Sequence, residues 1–229
     1  MVKEWIENSG NTNTIGTEDS TLQMAISITT GQKEVEDPRD YWDAVAVVCH
    51  PGERQIVDNF DKKSQIVRFL LGYELMDKKT IEIGVGNGLI AHTIRTITGN
   101  GMKYWGTDLS EKFRETATKL FNLSVHEADL KELKMEGEQF DYLWAFDVLE
   151  HIPLGDRKEI FVELSRVLKK EAKVFINNPL TASQHVDKFD FWFDDYALAQ
   201  MCDFMGMQIK EIKKYSCRNH SYQFMVLER

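Results

Sequence analysis

Three glycines at alternate positions constrain this chain more than any other feature. The stretch Thr80-Ile81-Glu82-Ile83-Gly84-Val85-Gly86-Asn87-Gly88-Leu89-Ile90-Ala91 begins as a short apolar strand and tightens into a glycine turn. It continues at once into a segment with Leu89, Ile90, Ile94 and Ile97 three or four residues apart, which predicts a helix with one apolar face. A strand, a glycine turn and a helix N-terminus together let backbone approach a ligand closely. The rest of the chain has to say which ligand.

Strand and helix patterns alternate on both sides of this unit. A helix is expected from 64 to 76, carried by Ile66, Val67, Phe69, Leu70, Tyr73 and Leu75. After the glycine unit come a strand at 102–108 and a helix capped by Ser110, with Phe113, Ala117, Leu120 and Phe121 inward. Short strands follow at 123–129 and 140–146. A helix with a capping-box pair Asp156/Glu159 leads to a strand at 172–177. A helix over 194–205 ends at Gly206, and two final strands, 207–215 and 221–227, are joined by a link too short for a parallel crossover. The expected fold is α/β: a doubly wound, mostly parallel, seven-stranded sheet with an antiparallel strand near the C-terminus. Residues 62–229 form this domain, with a substrate-side insertion at about 180–193. Residues 1–61 are a tail and a short N-terminal cap or lid. Residues 8–21 of that tail are polar and aperiodic, while Pro38 and Pro51 bracket an apolar element led by Tyr41 and Trp42.

The turn lacks the Gly-Lys-Ser/Thr ending of a phosphate loop. Its glycines are also closer together than the Gly-x-Gly-x-x-Gly of a dinucleotide site, although an acid does follow the second strand. Glu82, two residues before Gly84, suits a cationic ligand better than a pyrophosphate. Here the sequence resembles the class I S-adenosylmethionine-dependent methyltransferases. Glu82-x-Gly84-x-Gly86-x-Gly88 resembles their first motif, and Asp108 their acid after the second strand. Ala128-Asp129-Leu130 resembles their adenine-side motif, residues 140–152 (FDYLWAFDVLEHI) their fourth-strand motif, and Leu164-Ser165-Arg166-Val167-Leu168-Lys169 the helix after it. The resemblance covers roughly residues 62–229 and implies a Rossmann-like fold, S-adenosylmethionine as cofactor and S-adenosylhomocysteine as product.

With that resemblance, the cofactor-binding residues are expected to be Glu82, Gly84, Gly86, Gly88, Asp108, Leu109, Asp129, Leu130 and Phe146. Asp108 can accept both ribose hydroxyls and Asp129 the adenine amino group. Transfer from a sulfonium needs alignment, dryness and an acceptor lone pair, so a base near the acceptor is useful. Asp147 and His151, just past the fourth strand, are the catalytic candidates. Tyr41 and Trp42 in the cap, with His185, Asp187, Asp190 and Trp192 in the insertion, are the substrate-binding candidates. Aromatic faces among carboxylates attract cations, so a small, cationic acceptor, an amine or guanidine nitrogen, is expected. A hydroxyl or carboxylate oxygen is the alternative, a protein acceptor is a weaker one, and a cofactor-binding subunit without turnover is the non-enzymatic reading.

Composition narrows the partners. Lys+Arg 28 against Asp+Glu 37 gives a formal net charge of -9, which argues against nucleic acid or an anionic membrane. Cys49, Cys202 and Cys217 show no paired spacing, as expected of free thiols in the cytoplasm. No metal-ligand spacing is present, so no metal is expected, and a monomer or homodimer both fit.

Overall fold

The computed structural model describes residues 20–49, 60–180, 189–217 and 220–229. Seven strands form one sheet: β1 (Lys79–Ile83), β2 (Lys103–Thr107), β3 (Val125–His126), β4 (Phe140–Phe146), β5 (Leu168–Pro179), β6 (Gln208–Cys217) and β7 (His220–Glu228), in the order β3-β2-β1-β4-β5-β7-β6. The first five pair in parallel, and β7 lies antiparallel between β5 and β6. The helices are α1 (Ser20–Thr29), α2 (Pro38–Cys49), α3 (Phe60–Leu70), α4 (Leu89–Ile97), α5 (Glu111–Phe121), α6 (Arg157–Val167) and α7 (Asp195–Met205).

The two-residue period of β4 shows how the layers form. Leu143 and Ala145 join Ile81, Ile83, Phe161, Leu164, Leu198 and Met201 in a core under α6 and α7. Tyr142, Trp144 and Phe146 join Ile66, Leu70, Ile90 and Ile94 in a core under α3 and α4. A strand apolar on both faces must be covered on both faces, which helices on either side of a parallel sheet supply. Strand order reverses between β1 and β4, so a crevice opens beyond their carboxyl ends. The glycine turn after β1 and the turn after β4 both face it.

Several elements depart from the sequence expectation. Asp156 stands at the N-cap of α6 but makes no capping hydrogen bond; its carboxylate pairs with Lys131 instead, at 2.8 Å. Ile97 and Leu120 are 55% and 57% exposed, each on the last turn of its helix. β5 starts at Leu168, the C-cap residue of α6, which is already extended, so the strand runs four residues earlier than its apolar run announces. The element between Pro38 and Pro51 is a helix, α2, packed with α1 around Ala25, Tyr41, Ala44, Val45 and Val48.

Candidate active site

The crevice is a cavity of about 590 Å³ lined from both halves of the sheet and from α2. Its floor is the glycine turn. Gly84, Gly86 and Gly88 have φ of +67°, +56° and +79°, a region that L side chains rarely adopt. Sterics decide Gly84 as well, since a Cβ there would lie 2.5 Å from Val148 Cγ2. A Cβ on Gly86 would meet no protein atom within 4 Å. That glycine therefore presents bare backbone to open space. Gly88 does not line the cavity; it begins α4 and packs against Leu123 and Ala117.

Acids ring the floor. Asp108 follows β2 and is 9% exposed. Its Oδ2 accepts from Gly86 N at 2.8 Å and its Oδ1 from Ser110 N at 2.9 Å, which ties the glycine turn to the start of α5. Burial pushes its pKa up to about 6; the two N–H donors and Arg114 oppose the rise. Glu82, at 2% exposure, accepts the Tyr104 hydroxyl at 2.6 Å, and burial pushes it up to about 8 against that bond and the Lys63 charge. Lys63 donates to Asn87 Oδ1 at 2.6 Å across the cavity wall. Asp129, whose Oδ1 accepts from Lys131 N, lines the cavity with Leu109, Leu130 and Phe146.

At the other end, β4 closes with Asp147 at φ +53°. Both its carboxylate oxygens are engaged, Oδ2 with Lys62 at 2.6 Å and Oδ1 by Asn177 Nδ2 at 2.8 Å. A 3-10 turn, Leu149–His151, follows. His151 Nδ1 meets Asp190 Oδ1 at 2.7 Å, and the Trp42 ring lies edge-on to its imidazole, 4.5 Å between centroids. Burial works against a charge on His151, yet the hydrogen bond to Asp190 and the charges of Glu150 and Asp190 lift its pKa to about 9. Asp147, His151, Trp42, Phe189 and Phe191 all line the cavity.

The expected site residues thus divide. Glu82, Gly84, Gly86, Asp108, Leu109, Asp129, Leu130, Phe146, Asp147, His151 and Trp42 share one cavity. Tyr41 does not line it; it is 3% exposed, in the core between α1 and α2. Asp190 reaches the cavity only through His151. Trp192 has φ +51°, and its carbonyl accepts from Arg157. His185 and Asp187 lie outside the described residues. Sequence reasoning missed Arg39, Lys63, Asn87, Phe113 and Glu127, all on the cavity wall. Asn87, inside the glycine motif, was the one with a readable signal.

The cavity at the switch point, the glycine floor and the acid after the second strand define a nucleotide-binding site of the Rossmann-like kind. Residues 81–176 match the family model described as "Methyltransferase domain". Over that stretch, with its motifs in order on this fold, the chain is similar to the class I S-adenosylmethionine-dependent methyltransferases. A curated relative, the 27-O-demethylrifamycin SV methyltransferase of Amycolatopsis mediterranei (strain S699), is 28% identical over 145 residues, 60% of this chain and 49% of that protein. The chain thus spans about half the length of that relative. Among solved structures, the magnesium protoporphyrin IX methyltransferase of Synechocystis PCC 6803 with bound SAH has a TM-score of 0.67 at 16% identity, covering 84% of this chain and 97% of that one. The Haemonchus contortus phospholethanolamine N-methyltransferase 2, in complex with phosphomonomethylethanolamine and S-adenosylhomocysteine, has 0.66 at 18%, covering 85% and 61%. Both are likenesses of fold.

Proposed function

We propose that this chain transfers a methyl group from S-adenosylmethionine to a small molecule and that the accepting atom is a hydroxyl oxygen. The observation that carries the second half is the His151–Asp190 pair. Nδ1 lies 2.7 Å from Asp190 Oδ1 and 3.3 Å from the Phe189 carbonyl, which leaves Nε2 as the nitrogen for a substrate in the cavity that His151 lines. An imidazole fixed in this way can take the proton that a hydroxyl must lose.

The cavity fits the cofactor. Gly86 presents bare backbone to the open space of the cavity, Asp108 is a carboxylate with lone pairs to spare for ribose hydroxyls, and Leu109 and Leu130 border the adenine end beside Asp129. Glu82 gives the methionine end an acid for the amino group. When bound, S-adenosylmethionine supplies a sulfonium methyl that a lone pair displaces directly. The chain's residues align, desolvate and deprotonate: Trp42, Phe189 and Phe191 keep water from the His151 end, and Asp147, clamped by Lys62 and Asn177, fixes the turn that carries His151.

The cationic acceptor expected from the sequence rested on a cage of free carboxylates. Three aspartates in and beside the cap and the insertion are otherwise employed. Asp43 accepts from Ser110 and Lys112, Asp190 holds His151, and Asp194 caps α7 by accepting from Ala197 N at 2.9 Å. The name of the 27-O-demethylrifamycin SV methyltransferase adds weight to oxygen. The test is to incubate the protein with S-adenosylmethionine carrying a ¹³C methyl and a small-molecule extract, then read the product carbon by NMR. An O-methyl resonance supports the proposal; an N-methyl resonance overturns the acceptor, and label only in macromolecules overturns the substrate class.

A further inference from the structure

Two adjacent lysines stand near the start of α3, and the proposed reaction uses only one of them. Lys62 pairs with Asp147, on the turn after β4, at 2.6 Å. Lys63 faces the turn after β1, where its Nζ donates to Asn87 Oδ1 at 2.6 Å. Both lie in the first turn of α3, where the helix dipole opposes a cation, so their placement serves what they face rather than the helix. Lys63, Asn87 and Glu82 line the cavity at its glycine-turn end. Asn87 Oδ1 also accepts from Leu89 N at 3.2 Å, so the Lys63 ammonium is fixed beside the N-terminus of α4. Charge makes this position matter. Six acids line the cavity, against three basic side chains, Arg39, Lys63 and His151. Arg39 pairs with Glu127 at 2.9 Å and His151 with Asp190 at 2.7 Å. The methionine end of the cofactor carries a carboxylate as well as an amino group, and a carboxylate entering a wall of acids needs a cation beside it.

We propose that Lys63, held in place by Asn87, binds the carboxylate at the methionine end of the cofactor and makes the site select ligands that carry it. With the amino group at Glu82, the two charges of that end meet opposite charges on one side of the cavity. The positive end of α4, with Leu89 and Ile90 on the wall, adds to the attraction. An ammonium has three N–H donors, enough to serve Asn87 and a carboxylate oxygen together. The assignment rests on S-adenosylmethionine as the occupant of the cavity, and the experiment separates the two.

The experiment is calorimetry of the purified chain with three nucleosides. They are S-adenosylhomocysteine, its decarboxylated analogue, which keeps the amine, and 5′-methylthioadenosine, which lacks both groups. The wild type should bind S-adenosylhomocysteine roughly 10- to 100-fold more tightly than the decarboxylated analogue, as expected for hydrogen bonds to a charged group. In Lys63→Met that preference should shrink to about twofold or less, with affinity for 5′-methylthioadenosine unchanged, and Lys63→Arg should restore part of it. Equal binding of S-adenosylhomocysteine and the decarboxylated analogue by the wild type overturns the proposal without any variant. A Lys63→Met protein that keeps the full preference overturns it too. So does one that weakens all three ligands alike at an unchanged thermal midpoint, which is what a merely structural tie between α3 and the glycine turn would give. If the wild type binds none of the three, the cofactor itself is wrongly assigned; if it binds them without regard to the carboxylate, the cofactor stands and the role of Lys63 falls.

Discussion

Asp108 and His151 are the single side chains on which the proposed chemistry turns. In that proposal Asp108 binds the cofactor as a carboxylate, and burial raises its pKa to about 6. Below that pH it is a neutral acid and a poorer acceptor for two hydroxyls. The dissociation constant of S-adenosylhomocysteine should therefore rise as pH falls through 6 in the wild type. In Asp108→Asn it should be weak at every pH, by roughly 10- to 100-fold, the worth of about 1.5–3 kcal/mol for hydrogen bonds to a charged group. A flat wild-type profile, measured by calorimetry, would remove Asp108 from the site. For His151 the sign runs the other way. It holds its proton up to about pH 9, so a rate that needs neutral Nε2 climbs with pH and levels off near 9. Asp190→Asn removes the strongest support for that proton and should move the midpoint down. His151→Ala should lower kcat by about 100-fold or more, with S-adenosylhomocysteine binding retained.

At the scale of elements, the cap is docked by a helix end. Asp43 on α2 accepts from Ser110 Oγ at 2.5 Å and from Lys112 N at 3.1 Å, so it helps cap α5 from 67 residues away. Arg39 on the same helix pairs with Glu127 at 2.9 Å. Asp43→Ala should cost about 1 kcal/mol, the usual worth of a cap. It should also speed hydrogen exchange in residues 38–49 and at the start of α5, with β4 and β5 unchanged; uniform loss of protection would show that the cap is not docked there. These contacts also mark what could be read from sequence. The glycine unit and β4 were legible because each encodes its structure locally, one by backbone that only glycine adopts readily, the other by two apolar faces. Ser110 was legible as a cap because its partner, Phe113 N, is three residues on. Asp43 to Ser110 and Asp190 to His151 join residues that no period relates, so the same aspartates looked like a free acidic cage. Asp156 shows the converse: correct capping spacing, with the carboxylate drawn away by Lys131.

Across the whole molecule, the site concentrates buried acids whose folded pKa values are raised: Glu82 to about 8, Glu150 to about 7, Asp108 to about 6. The unfolded chain releases these protons above roughly pH 4.5, while the folded chain keeps them longer. The folded state then binds more protons, and stability falls as pH rises from about 5 toward 8. His151, raised to about 9, extends the fall in the same direction. The thermal midpoint of the ligand-free protein should therefore be lower at pH 8.5 than at 6.5, and Glu82→Gln should flatten the slope; a midpoint that rises over that interval would contradict these burial costs. Among the described residues no helix is long and apolar enough to cross a membrane. The sheet, its switch point and the glycine floor converge on one claim, that the cavity is built for S-adenosylmethionine. The most direct test is calorimetric titration of the purified chain with S-adenosylhomocysteine, beside NAD as the ligand that a dinucleotide site would prefer. Saturable one-to-one binding of S-adenosylhomocysteine with none of NAD is the predicted result; binding of NAD in its place, or of neither, would contradict it.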